Sequence, residues 1–233
     1  MLKQRIILSF IIYTLSTSAT AIPPYFNSNP LNLEDGSSFA SIQIYSDNEK
    51  HISQFEFRHG LTDKVEYIFP LSIGYSIVDD KVKIQSGLNS YVKTENSEVF
   101  GVNAGITGRA YDSNVMTIYY DVFWYHDISS IDDQENDLFI FSLTPSYLAF
   151  NNTSLYTSID YYFSDSQHKS DNNTPAITIG ANFKASDYLY LNASYKYTDK
   201  PGVINYEDIY FGTKGGVTGI NHSLFNIGFS FLF

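Results

Sequence analysis

The sequence predicts an all-β fold: a transmembrane, antiparallel up-and-down β-barrel of about twelve strands, with ten as the alternative. Three features predict it. Apolar residues recur at every second position along most of the chain, the alternating segments run to about 11 to 14 residues where soluble strands average roughly 5–6, and short links alternate with longer ones. Composition agrees. Aromatic residues make up 17% of the chain, with 20 Tyr and 18 Phe against one Trp, while charged residues reach only 17% where about 25% is usual. No stretch after residue 21 is apolar for even ten residues, which excludes membrane helices and leaves strands as the crossing elements.

Taken in order, residues 1–21 read as a secretory signal peptide. Lys3 and Arg5 precede a largely apolar run from Ile6 to Leu15, and the small residues after it end in Ala19-Thr20-Ala21, an A-x-A cleavage pattern. The run is about half the ~20 residues that a spanning helix needs, so it does not read as an anchor. Residues 22–37, rich in Pro and Asn, read as a lead-in, with a short plug as the alternative, and the barrel is expected over residues 38–233.

Strands are expected at about 38–46 and 51–60, a turn at Leu61-Thr62-Asp63, then strands at 64–69 and 71–78. Pro70 interrupts this last run, because proline lacks the N–H that a ladder requires. Val65, Tyr67, Phe69, Leu71, Ile73, Tyr75 and Ile77 nevertheless keep one parity through it, so a single bulged strand is the competing reading. An even strand count returns both termini to one side and favours two strands, giving twelve.

Further on, Phe100, Val102, Ala104 and Ile106 alternate with Gly101, Asn103, Gly105 and Thr107. Met116, Ile118, Tyr120, Val122 and Trp124 oppose Thr117, Tyr119, Asp121, Phe123 and Tyr125. The same holds for Leu155 to Phe163, Ile177 to Phe183 and Leu189 to Tyr197, and the last strand carries Phe225, Ile227, Phe229, Phe231 and Phe233 on one parity. Asp79-Asp80, Asp112-Ser113-Asn114, Asn151-Asn152 and Ala185-Ser186-Asp187 are the short links; Lys93–Glu98, Ile128–Asn136, Ser164–Thr174 and Thr198–Asn221 are the longer ones.

Charge excludes one class of partner. Without Lys3 and Arg5 the chain would keep 12 basic residues against 25 acidic ones, a formal charge of −13 where the whole sequence carries −11. A nucleic-acid partner, which needs a basic face to neutralise its phosphates, is not expected. There is no cysteine, so no disulfide holds the fold.

The tail Ser223-Leu-Phe-Asn-Ile-Gly-Phe-Ser-Phe-Leu-Phe233 resembles the insertion signal of bacterial outer-membrane barrels, a terminal Phe with aromatics at alternate positions before it. The resemblance implies that Phe229, Phe231 and Phe233 are read by the barrel assembly machinery. It also implies a Gram-negative outer-membrane location, with lipid around the barrel, a periplasmic lead-in, short periplasmic turns and longer outward loops. Gln54-Phe-Glu-Phe-Arg-His-Gly-Leu-Thr-Asp-Lys-Val-Glu66 is similar to a strand-turn-strand of poorly characterised, transporter-like barrels, some linked to aromatic compounds; His59 replaces their usual aromatic residue.

With the apolar parity facing lipid, the other parity lines the interior. It contains Glu56, Arg58, Lys64, Glu66, Lys83, Arg109, Asp121, Asp160, Lys184 and Lys196, six basic and four acidic. In a water-filled path this cationic excess favours anions. In a filled barrel the same charges pair across the lumen. The inward tyrosines Tyr45, Tyr91, Tyr119, Tyr125, Tyr156, Tyr162, Tyr188 and Tyr190 narrow the interior in either case.

The expectation is therefore a narrow channel or transporter for small solutes. A non-conducting structural or surface-interaction barrel is the alternative, and an outer-membrane hydrolase a more remote one. No enzyme, metal or cofactor is expected, and the oligomeric state is left open. His126, Asp127, Ser129 and Ser130 invite a Ser-His-acid reading, but neighbours on one strand point to opposite faces. The histidines His51, His59, His126, His168 and His222 are scattered, without metal-ligand spacing.

Overall fold

A computed structural model describes residues 31–46, 51–69, 71–78, 81–93, 97–127, 137–164, 174–198, 210–211 and 223–233. Residues 1–21, read above as a signal peptide, residues 22–30 and most of the longer links lie outside the described residues. Twelve strands form the wall. These are β1 (Ser38–Ser46), β2 (His51–Thr62), β3 (Val65–Ile68), β4 (Leu71–Val78), β5 (Val82–Lys93) and β6 (Ser97–Asp112) in the first half. The second half holds β7 (Met116–Asp127), β8 (Asp137–Phe150), β9 (Thr153–Ser164), β10 (Thr174–Lys184), β11 (Leu189–Thr198) and β12 (Ser223–Leu232).

Each strand pairs antiparallel with its sequence neighbours, and β1 pairs with β12 from Phe39↔Leu232 to Ser46↔Phe225. That last ladder closes the sheet into a barrel, which removes its free edges. Backbone bonds seal the join. Ser38 N–H donates to the Phe233 carbonyl at 2.6 Å, and Phe233 N–H donates to the Ser38 carbonyl at 2.9 Å. The barrel thus has a terminal end, where β1 begins and β12 finishes, and a loop end opposite.

The even count expected from the sequence holds, with β3 and β4 as separate strands on either side of the proline. Two links differ from expectation. The first turn falls at Asp63–Lys64, because β2 continues to Thr62, whose Oγ1 accepts the N–H groups of Lys64 (3.2 Å) and Val65 (3.0 Å) and fixes the turn there. The link expected to be long at Lys93–Glu98 is short, since the β5–β6 ladder runs unbroken from Val82↔Gly108 to Lys93↔Ser97.

The wall is not uniform. β3 has four residues, and the chain turns back at Phe69, whose N–H donates to the Phe57 carbonyl at 2.9 Å. Toward the loop end, Tyr210–Phe211 sits between β2 and β5 instead, parallel to Gln54–Phe55 and antiparallel to Ser90–Tyr91. At the terminal end the stretch before β1 lies on the inner face. Asn32 Nδ2 donates to Ser76 Oγ at 2.9 Å, Gly36 N–H to the Gly60 carbonyl at 3.0 Å, and Gly60 N–H to the Ser37 carbonyl at 2.9 Å, with Leu31 and Leu33 buried. Gly36 adopts a φ of 74°, which an L side chain resists, and at Gly60 a Cβ would collide with the Glu34 carbonyl.

Polarity is inverted relative to a soluble protein. Ile42, Ile44, Leu71, Ile73, Ile84, Ile106, Val122, Phe141, Leu155, Ile159, Ile177, Ile179, Phe225, Ile227 and Phe229 are exposed, while Ser41, Asn103, Asp121, Ser154, Asn182, Asn192, Asn226 and Ser230 are buried. Among the described residues the alternation along the strands therefore puts the mainly apolar parity outside. Such a surface is stable against hydrocarbon and unstable against water.

Candidate functional site

The interior is the candidate site, and register decides what it contains. Across β2, β3 and β5 the ladder brings Arg58, Glu66 and Lys83 to the inner face. Glu66 Oε1 receives Lys83 Nζ at 2.7 Å and Arg58 Nη1 at 3.1 Å, and Arg58 Nε lies 3.3 Å from Glu56 Oε1. Arg58 also stacks over the Phe39 ring, 4.9 Å from its centroid. Two cations and two carboxylates cancel within this quartet, in which Arg58 is 2% exposed, Glu66 3% and Lys83 5%. Burial of this depth is tolerable only because every charge has an opposite within hydrogen-bond reach.

The remaining lumen cations are likewise compensated. Lys196 Nζ donates to Asp160 Oδ2 at 3.0 Å across β9 and β11, and Ser158 Oγ donates to Asp160 Oδ1 at 2.7 Å. Arg109 lies 3.4 Å from Asp112 Oδ2, and Lys184 Nζ 2.7 Å from Asp187 Oδ1, both near the terminal end. Asp121 accepts from Thr107 Oγ1 at 2.8 Å. Lys64 sits in the β2–β3 turn and is exposed at the rim. The cationic excess counted along the sequence is therefore neutralised locally, with Asp112 at the end of β6 and Asp187 in the β10–β11 turn supplying carboxylates that strand parity did not reveal.

Beside the charges runs a belt of amides and hydroxyls. Asn192 Nδ2 donates to Asn182 Oδ1 at 2.7 Å, and Asn226 Nδ2 donates to Asn192 Oδ1 and Gln43 Oε1, both at 2.9 Å. Asn182 reaches Ser154 Oγ at 3.4 Å, Gln43 Nε2 donates to Ser41 Oγ at 2.9 Å, and Ser230 Oγ donates to Ser41 Oγ at 3.1 Å. The belt crosses β9, β10, β11, β12 and β1, and none of these groups carries a charge. Toward the loop end Phe123, Tyr125, Ile140 and Ala176 form a buried apolar cluster, with Phe123 and Tyr125 stacked at 6.0 Å.

Several large inward side chains face a glycine across the ladder: Phe123 opposite Gly105, Tyr156 opposite Gly180, Gln43 opposite Gly228 and Glu66 opposite Gly74. At each glycine an added Cβ would overlap the facing side chain. Glycine interrupts a strand at a cost, and here it leaves room for close approach by the neighbour.

With this geometry in hand, solved structures supply the comparison. The chain is similar to an outer-membrane channel from Pseudomonas putida F1 at 10% identity and a TM-score of 0.54, covering 89% of this chain and 99% of that one. It is similar to the NanC porin at 11% identity and a TM-score of 0.52, covering 83% and 98%. The chain has the fold of the bacterial outer-membrane β-barrels. At these identities the likeness is one of fold. No family model and no curated protein matches the sequence.

Outside the lumen, Phe229, Phe231 and Phe233 face outward and are exposed. His126 also lies on the outward parity, at the loop-end rim. Its Nδ1 is 3.0 Å from Asp137 Oδ1, its ring stacks on Trp124 at 5.7 Å, and Trp124 Nε1 donates to the same oxygen at 2.9 Å. His126 is thus paired with an acid of the next strand; Ser129 and Ser130 lie outside the described residues. Among the described residues no group of three His, Asp or Glu could hold a metal ion.

Proposed function

We propose that this protein is a narrow channel of the Gram-negative outer membrane that passes small uncharged solutes. The observation that carries the proposal is a polar inner wall with charges compensated in pairs: Arg58 and Lys83 by Glu56 and Glu66, Lys196 by Asp160, Arg109 by Asp112, and Lys184 by Asp187. Selectivity for ions of one sign needs rings of one sign. Hydroxyls and amides supply hydrogen-bonding surface without it. The fold shared with proteins described as a porin and an outer-membrane channel supports the same reading.

The outward apolar band supports the membrane location, and the alternating aromatics ending at Phe233 support delivery by the barrel assembly machinery. Purified protein in a planar bilayer under a salt gradient tests the function. Small conductance steps with a reversal potential near zero are expected, because the lumen carries little net charge. Strong anion or cation selectivity would contradict the proposal.

The depth at which Arg58, Glu66 and Lys83 are buried favours a second reading, a filled barrel that conducts nothing. The same bilayer separates the two, since a filled barrel gives no steps at all.

A further inference from the structure

We propose that Gly180 and Gly228 set the width of the lumen, acting as seats on which Tyr156 and Gln43 lie flat against the wall. The proposal rests on the channel reading above and adds to it the residues that determine which solute sizes pass. Gly180 faces Tyr156 across the β9–β10 ladder, and Gly228 faces Gln43 across β1–β12. Each glycine falls within a residue of the middle of its strand, β10 from Thr174 to Lys184 and β12 from Ser223 to Leu232.

The tyrosine shows how the seat works. From β9 its ring crosses over Gly180 on β10 and its hydroxyl accepts Asn192 Nδ2, on β11, at 3.0 Å. A side chain that spans a neighbouring strand in this way runs along the wall and not across the bore. A Cβ on residue 180 would lie 2.7 Å from Tyr156 Cε1, closer than real Cβ contacts come. The ring, held at its own Cα, would have one direction left, which is inward. Gln43 stands in the same relation to Gly228: its amide covers the missing Cβ and accepts Asn226 Nδ2 at 2.9 Å. Two bulky side chains near mid-barrel are thus kept out of the path by two missing methyl groups.

The test compares single-channel conductance of the wild type with Gly180→Ala, Tyr156→Ala and the double variant, each shown to be folded by its unboiled-gel mobility. Gly180→Ala should lower conductance to about half or less, Tyr156→Ala should raise it by no more than about 1.5-fold, and the double variant should return close to the wild type. A silent wild type would refute the channel itself. A conducting wild type with unchanged Gly180→Ala would refute the seat. If Gly180→Ala does not fold, Tyr156→Ala still decides: a rise of more than about 2-fold would mean that the ring already projects into the bore, against the proposal.

Discussion

Replacing Glu66 with Gln tests the charge quartet most sharply. The substitution keeps the volume and one acceptor oxygen but removes the carboxylate that lies 2.7 Å from Lys83 Nζ and 3.1 Å from Arg58 Nη1. The quartet then passes from neutral to a net charge of +1, with Glu56 alone facing two buried cations. Breaking a buried pair from one side costs about 3–5 kcal/mol, and the remaining Glu56 places the expected loss near the lower bound, about 3 kcal/mol. Removing Lys83 as well, in Glu66→Gln with Lys83→Met, restores neutrality and should recover at least about half of that loss, because the stranded cation is gone. Urea unfolding of the barrel in lipid vesicles measures both. A loss below about 1 kcal/mol for Glu66→Gln would match a hydrated surface pair and refute the assignment of a buried, mutually dependent cluster.

Three further outcomes are expected. Single cysteines placed within Ile128–Asn136, Ser164–Thr174 or Thr198–Asn221 should react with a membrane-impermeant reagent on intact cells, and those at Ser113 or Ser186 should not; labelling at the latter would invert the topology. Deleting Phe233 should lower the amount of inserted barrel seen on unboiled gels, and Phe229→Arg, close to the middle of an outward-facing strand, should cost about 2 kcal/mol in vesicle unfolding; normal insertion and stability would show that this face does not meet lipid. Trp124, the one tryptophan, faces outward near the loop end, so its fluorescence should be quenched by brominated lipids; quenching only by aqueous iodide would place it off the lipid.

Much of the barrel was legible in the sequence because a strand's period of two leaves a direct mark. Ile227, Phe229 and Phe231 against Asn226, Gly228 and Ser230 already separate outside from inside. The inward location of Glu66 and Asp160 followed from the same parity. What parity could not provide was pairing between strands. Arg58, Glu66 and Lys83 are 8 and 17 residues apart and meet because Glu66 on β3 stands opposite Gly74 on β4, whose missing side chain leaves the carboxylate room to reach Lys83 on β5. Asp112 ends β6 beyond a bulge between Arg109 and Tyr111 that reverses the strand's parity, and Asp187 sits in a turn, so the carboxylates that balance Arg109 and Lys184 escaped a count made along strands. The amide belt was missed for a different reason. Asn182, Asn192 and Asn226 carry no charge, and their coincidence at one level depends on the register of two ladders, β10–β11 and β11–β12. The inward glycines were visible as glycines, but their role as seats depends on which residue stands opposite.

The most direct test of a charge-compensated passage for uncharged solutes is the swelling rate of proteoliposomes placed in isotonic solutions of neutral solutes of graded size. Purified wild-type protein should give swelling well above protein-free vesicles for the smallest solutes, with rates that fall steeply as solute size increases. Rates no higher than those of protein-free vesicles for every solute would contradict it and leave a filled barrel.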